Sequence, residues 1–256
     1  MWRCRELSTV LAIRDTKAKY RGSLLGIIWA VVPPLLAAVG LSSAKSSGML
    51  NLGEAPIPFA AFVVFGCSLW QIFASALMRP IQAFSASRHL LTKINFPREA
   101  LLASEFWKLL GSVGVHLVLV AVVFGIYRVP LEATAPLVVL PLAALVAFGF
   151  GLGLLISPAA LLLGDVSNAL PFLTGALFIV TPVVYSVPQG KGLFAMAVRL
   201  NPLSSLFEGC RELISHGLPT HPMALAAACG LAIIVFVAGL VVSRASMPLV
   251  VERWSA

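Results

Sequence analysis

Side chains capable of acid–base or metal chemistry are few in this sequence. His116 is the one ionisable group near the middle of an apolar segment, where a lone histidine is more often hydrogen-bonded across helices than a proton relay. Glu105 and Lys108 stand one helical turn apart, and we expect a structural pair. The four cysteines show no CxxC spacing and no neighbouring histidine, so no metal site is expected. These patterns count against an ion-coupled carrier.

Motifs for nucleotide or enzyme chemistry are also missing. The phosphate-binding pattern GxxxxGK[ST] does not occur, so we do not expect this chain to bind and hydrolyse ATP. An aspartate- or histidine-rich catalytic loop, as a membrane glycosyltransferase or intramembrane protease needs, does not occur either. We therefore predict no catalytic residue, no metal and no cofactor bound by this chain.

The composition indicates a membrane protein. Of 256 residues, 59% are apolar and 11% are charged, with a mean hydropathy of +0.98, whereas soluble domains carry about 25% charged residues. Continuous apolar runs, unlike the alternating strands of a barrel, predict helices that cross about 30 Å of hydrocarbon. We predict an all-α integral membrane protein with six transmembrane helices, near residues 24–44, 59–78, 105–126, 136–162, 169–187 and 223–243.

Cations are distributed unequally between the two sides of these spans. Six Lys or Arg precede the first span, four lie between spans two and three, and two follow the sixth, against five on the other side. The positive-inside rule therefore places both termini in the cytoplasm. The net charge of +8 lies in short loops and at the N-terminus, which suits membrane orientation better than a nucleic-acid surface. Residues 1–22 are predicted to form a cytoplasmic interfacial helix, with a solvated arm as the alternative.

The segment 188–221, between spans five and six, is too polar to span and too apolar for an ordinary loop. Two amphipathic pieces, Leu193–Leu200 and Leu203–Ser215, flank the turn signal Asn201-Pro202. We predict two re-entrant helices of half membrane depth. Glu208 and Arg211, spaced i, i+3, either form a weak surface pair or belong to a gate at the outer mouth.

The cytoplasmic segment 80–99 is the most informative loop. Residues 87–94 are predicted to form a short helix that Asn95-Phe96-Pro97 ends, because the residue before proline avoids the helical region. Such a basic, apolar-tipped helix suits docking into a groove of a cytoplasmic partner. The alternative is a positively charged turn that serves topology alone.

Four sequence regions resemble the ABC-2 type permeases, and most closely the branch that exports lipid-linked polysaccharides such as O-antigen and teichoic acid. The first, Arg14–Pro34, reads RDTKAKYRGSLLGIIWAVVPP and is similar to the entry of the family's first transmembrane helix. The second is the family's K-[VI]-x-F-P-R-E run, which falls here on Lys93, Ile94, Phe96, Pro97, Arg98 and Glu99. The third is its G-x-x-x-W-x-x-F pattern, which falls on Gly66, Trp70 and Phe73. The fourth is the series of [ST]-P-x-x-Y, N-P-L and a later arginine, which falls on Thr181, Pro182, Tyr185, Asn201, Pro202, Leu203 and Arg211.

The resemblance implies a single transmembrane domain over 1–256 that acts in an ABC exporter of the bacterial cytoplasmic (inner) membrane. It implies a homodimer, since six helices are too few to enclose a wide path, and two copies of a separate ATPase that binds ATP and Mg. It further implies a lipid-linked glycan as substrate and a place in lipopolysaccharide biosynthesis. Implied coupling residues are Arg88, Lys93, Phe96, Pro97, Arg98 and Glu99, and implied gate residues are Asn201, Pro202, Glu208 and Arg211.

Aromatic side chains are the candidate lining of the substrate path. They stack on sugar faces and offer several weak platforms instead of one strong site, as export of a long glycan needs. The candidates are Trp29, Phe62, Trp70, Phe73, Phe178 and Tyr185. For any single ring, packing or an interfacial position is the competing interpretation.

Two other functions stay open at this point. One is an ABC-2 permease for drugs or small lipids, which usually lacks the Y-R-G-S-x-L-G and N-F-P-R-E runs. The other is a non-transport membrane enzyme or scaffold. A gene for an ATPase next to the gene for this chain would argue against that alternative.

Overall fold

The computed structural model describes residues 28–49, 56–86, 98–188, 190 and 192–255, and within them the chain is all-helical. The predicted interfacial helix at 1–22 lies outside the described residues. The helices are α1 Ile28–Ser46, α2 Phe59–Ala86, α3 Arg98–Ile126, a short 3-10 helix Ala135–Val138, α4 Val139–Leu162, α5 Gly164–Val180, α6 Leu193–Leu200, α7 Pro202–Ser215 and α8 Pro222–Ser255.

Within the described residues, five helices are long and apolar enough to cross a membrane. They comprise Ile28–Ser46, Phe59–Ala86, Ala100–Ile126, Ala135–Leu162 and Pro222–Val250. This confirms the all-helical, multi-pass class and matches predicted spans one to four and six. The predicted count of six spans is not confirmed, because the fifth falls on a shorter helix.

The bounds predicted for the fifth span, 169–187, are wrong. The helix there, α5, has 17 residues and ends at Val180, so its length of roughly 26 Å is just below the hydrocarbon thickness. It ends because Thr181, which precedes Pro182, is extended (φ −98°, ψ 133°). Pro182, which the predicted span 169–187 placed inside the helix, therefore follows it.

Helix α2 is the centre of the molecule. It packs against α1, α3 and α4, and α4 in turn packs against α8. In the most apolar 18-residue stretch of each helix, 72% of the residues are buried in α2, against 17% in α8 and 11% in α1. Most exposed positions of α1 and α8 are apolar, among them Leu36, Val39, Ile233 and Val237. Such faces suit hydrocarbon or a second chain.

Glycines bring α4 close to both of its neighbours. A Cβ at Gly153 would overlap the carbonyl oxygen of Leu77 in α2. A Cβ at Gly151 would lie 2.6 Å from the Cα of Phe236 in α8. Close backbone approach through small residues is how helices associate where hydrocarbon removes the hydrophobic driving force.

His116 is a buried residue of α3, 3% exposed. Its Nδ1 lies 2.8 Å from the carbonyl oxygen of Ser112, one turn earlier in the same helix. The hydrogen bond expected between helices is therefore found within one helix instead. Burial and this hydrogen bond give His116 a structural role in α3.

Candidate functional site

The predicted pair of short helices between α5 and α8 is present as α6 and α7. Asn201 begins α7: its side-chain oxygen accepts a hydrogen bond from the Leu203 N–H at 3.0 Å, and Pro202 occupies the first turn, where no backbone donor is needed. The Asn201 amide nitrogen also donates to the Thr181 hydroxyl at 2.9 Å. The Asn201-Pro202 turn is thus attached to the end of α5.

Arg211 is buried on the inner face of α7, with 7% of its surface exposed. Its guanidinium donates two hydrogen bonds of 2.6 Å, one to the carbonyl of Pro182 and one to that of Val183. Its Cζ lies 3.9 Å from the ring centroid of Phe62 in α2. The surface pair with Glu208 that the i, i+3 spacing allowed is therefore wrong, because the arginine points into the protein.

The electrostatics of Arg211 follow from this burial. Burial lowers the pKa of Arg211 to about 10, and Glu208 opposes the shift. The guanidinium thus remains charged at neutral pH. Two backbone carbonyls and an aromatic face compensate part of the desolvation of this charge.

Gly66 makes room for this arrangement. A Cβ at position 66 would overlap the carbonyl oxygen of Val183 and lie 2.6 Å from the Arg211 Nη2. Helix α2, the turn after α5 and helix α7 therefore meet at one point. We call Phe62, Gly66, Pro182, Val183 and Arg211 the Arg211 cluster.

The signal for a buried Arg211 was present in the sequence. Phe207 and Ile214, four residues before and three after it, are apolar and lie on the same helical face. Both are buried in the structure. The role of Gly66 and of the Val183 carbonyl had no such local signal, because their contact joins segments distant in sequence.

Three of the six candidate path aromatics come together. The ring centroid of Trp70 is 5.4 Å from that of Phe73 and 5.2 Å from that of Phe178, the second pair in a T-shaped arrangement. Trp70 and Phe178 are half-buried. Phe73 and Phe62 are 0% and 2% exposed, so within this chain both are core packing residues and line no open surface.

The other two candidates lie elsewhere. Trp29 is 60% exposed on α1. Tyr185 is half-buried, with its ring centroid 6.1 Å from that of Phe194 in α6 and its hydroxyl donating to the Ile179 carbonyl at 2.7 Å. Tyr185 thus links the end of α5 to α6.

Most of the candidate coupling loop lies outside the described residues, namely Arg88, Lys93, Phe96 and Pro97. Arg98 and Glu99 form the start of α3. The predicted contact of this loop with a partner stays a prediction.

A charged cluster joins the two helices that flank this loop. Arg79 of α2 lies 3.4 Å from the Glu105 carboxylate, which also pairs with Lys108. The predicted Glu105–Lys108 pair is confirmed, and Arg79 is the member that spacing did not reveal. With side-chain exposures of 11–19%, these charges are largely shielded from water, so removal of one partner is costly.

Comparison with protein-family models matches residues 6–215 to the family described as ABC-2 type transporter. The chain belongs to that family. Its similarity extends to proteins named O-antigen export system permease protein RfbA. One, from Klebsiella pneumoniae, is 27% identical over 218 residues, covering 83% of this chain and 81% of the relative. Another, from Myxococcus xanthus, is 30% identical over 234 residues, covering 89% and 88%.

Proposed function

We propose that this chain is the membrane-spanning permease subunit of an ATP-driven exporter that moves a lipid-linked polysaccharide across the bacterial cytoplasmic membrane. The observation that carries the proposal is the similarity to O-antigen export permeases over more than four-fifths of both chains. The chain itself performs no catalysis in this proposal. ATP and Mg bind to a separate ATPase, two copies of which act on a homodimer of this chain.

The substrate path in this proposal runs along the two-fold axis of the homodimer. A glycan must advance without being held, so contacts of about 1 kcal/mol each, exchanged step by step, suit the task. The pair of Trp70 and Phe178 supports this role, since each of the two residues keeps part of its surface exposed. Trp29 and Tyr185 are the other candidates, while Phe62 and Phe73 support the path from the core.

The two ends of the path have different tasks. On the cytoplasmic side, the loop at 80–99 contacts the ATPase, and the Arg79–Glu105–Lys108 cluster fixes the spacing of the helix ends beside it. On the outer side, α6 and α7 enter the membrane as re-entrant helices and close the exit. Asn201, Pro202 and Arg211 set the position of these two helices, and Glu208 faces a cleft beside them.

The experiment is a deletion with complementation in the host cell. Without the chain, we expect surface polysaccharide to disappear and lipid-linked glycan to accumulate at the inner face of the membrane, with both effects reversed by the wild-type chain. A Walker-motif variant of the ATPase should give the same accumulation. Unchanged surface polysaccharide after deletion, with altered export of a small lipid or drug instead, would contradict the proposal.

A further inference from the structure

A half-open cleft of about 740 Å³ lies between α7, the segment that follows α5 and the start of α8. Its volume is within the range of about 300–1,000 Å³ that is usual for small-ligand sites. Gly209 and Leu225 bring α7 and α8 into contact beside it, because a Cβ at Gly209 would lie 2.6 Å from the Leu225 Cδ1. The cleft is separate from the aromatic residues of the proposed path.

Four polar residues of α7 line this cleft, and three of them stand at a spacing of four. Ser204, Glu208 and Glu212 therefore share one face of the helix. The backbone N–H and the hydroxyl of Thr220 both donate to the Glu212 carboxylate. Burial and then the neighbouring Glu212 raise the pKa of Glu208, so it takes up a proton at a higher pH than an ordinary glutamate.

Ser204 lies at the inner wall of the cleft. It is 2% exposed, and its hydroxyl oxygen has no hydrogen-bond partner. Contact with a ligand therefore falls to the more exposed polar groups of the cleft, such as Arg199 and Glu208.

The remaining polar groups supply donors and acceptors together. Arg199 is exposed and uses one N–H on the Pro188 carbonyl at 2.9 Å, which leaves further N–H donors of its guanidinium for a ligand. Ser205 and His221 each offer a donor and an acceptor. The formal charge of the cleft is the sum of one positive group, Arg199, and two negative groups, Glu208 and Glu212. It is about −1 when His221 is neutral.

We propose that this cleft binds neutral sugar residues of the exported polysaccharide as they emerge on the outer side of the membrane. The inference depends on the function proposed above, which supplies the glycan and the orientation. Each sugar hydroxyl both donates and accepts, and the cleft offers the same mixture. A phosphate or an acidic sugar is disfavoured by the two carboxylates, and an ammonium group would leave the arginine and serine donors unused.

The test uses a photoreactive benzophenone amino acid incorporated into the full chain, in cells that make and export their own glycan. Ala224 is exposed and lines the cleft. Ala226 is equally exposed two residues later in α8, points to another side of the helix and does not line the cleft, so it is the matched control. After illumination we expect a glycan adduct at Ala224, little or none at Ala226, and none at either position in a strain that synthesises no glycan.

Two conservative variants then test the contacts. Glu208→Gln, combined with the probe at Ala224, should lower the adduct yield roughly three- to tenfold, as expected for the loss of one hydrogen bond. Ser204→Ala, which removes a hydroxyl that a ligand in the cleft does not reach, should leave the yield unchanged. Protein abundance and dimer content are measured in parallel, and the yield is expressed per folded chain. A Glu208→Gln variant that retains the full yield would overturn the assignment of this side chain and with it the proposed site.

Other outcomes overturn the cleft without touching the proposed function. Three results would contradict the sugar site. The first is export that continues with no adduct at Ala224, and the second is an equal adduct yield at Ala226. The third is an adduct that persists in cells without glycan, since it then comes from lipid. Failure of the proposed function is recognised differently, because cells that lack the chain would then export their glycan normally.

Discussion

At the scale of single residues, Arg211 and Gly66 form one structural unit. The carbonyls of Pro182 and Val183 follow the end of α5 and therefore lack the hydrogen bonds that a continuing helix would supply. The Arg211 guanidinium supplies those hydrogen bonds instead. The glycine lets α2 approach that point. A change at either residue therefore acts on the other and on the turn at Pro182-Val183.

Gly66→Ala should destabilise the protein. The added methyl group would overlap the Val183 carbonyl and crowd the Arg211 guanidinium, and overpacking of this kind costs about 1–3 kcal/mol. We expect a lower thermal unfolding temperature in detergent and reduced export. Gly40→Ala is the matched control, since nothing lies within 4 Å of a Cβ at that helical position, and it should be neutral or slightly stabilising. Equal effects of the two substitutions would speak against the close approach at Gly66.

Arg211→Lys keeps the charge but lacks the planar fork that reaches two carbonyls at once. One buried carbonyl loses its partner, so we expect a loss of about 1–3 kcal/mol in stability. Arg199→Lys is the control, because Arg199 is exposed and its bond is to the single carbonyl of Pro188, and its effect should be close to zero. The comparison is made by thermal unfolding of purified protein. A lysine at position 211 that leaves the unfolding temperature unchanged would contradict the double hydrogen bond.

At the scale of helices, the sequence predicted α6 and α7 closely and α5 less well. Amphipathic spacing on both sides of Asn201-Pro202 indicated the two helices, and α7 begins one residue earlier than predicted. The end of α5 was missed because apolar residues continue to Val184, and the extended backbone at Thr181 outweighs that hydropathy. The partners of Arg211 were beyond local reasoning, since 28 and 29 residues separate it from Val183 and Pro182.

Glu105→Gln tests the charged cluster that joins α2 to α3. The substitution leaves Arg79 and Lys108 close together without the shared carboxylate, in surroundings with little access to water. We expect a loss of about 3 kcal/mol in stability. Glu132→Gln, at an exposed position, should change the unfolding temperature little. A neutral result at position 105 would mean that solvent already screens the pair.

Replacement of Phe96 or Pro97 by alanine tests the coupling loop between these helices. If the loop docks into the ATPase, ATP hydrolysis should continue while glycan export falls, because the motion no longer reaches the membrane subunit. Both rates are measured in membrane vesicles that contain the complex, with insertion and dimer content checked in each variant. Full export at normal abundance would leave the loop with a role in topology alone.

At the scale of the whole molecule, the sequence predicted the class but not the number of fully spanning helices. Hydropathy identifies segments longer than the hydrocarbon core, and α5, with 17 residues, falls just below that length. The apolar outer faces of α1 and α8 follow from the same composition. The sequence of one chain does not show which part of these faces would contact lipid and which would contact the second copy of the proposed homodimer.

Orientation is tested by cysteine accessibility. Ser47→Cys, just after α1, should react with an impermeant maleimide in intact cells, while Ser87→Cys, just after α2, should react only after the membrane is opened. The exposed Ser47 serves as the positive control. Labelling of position 87 from outside would reverse the proposed placement of both termini in the cytoplasm.

The length of α8 has a mechanical consequence. Its 34 residues extend roughly 50 Å, whereas the hydrocarbon core takes up about 30 Å. The helix is therefore roughly 20 Å longer than that core, and its C-terminal part carries the exposed Arg244 and Arg253. A spin label at position 253 would sit near the end of this helix. In the homodimer proposed above, the distance between two such labels would serve as a spectroscopic ruler for relative motion of the two copies.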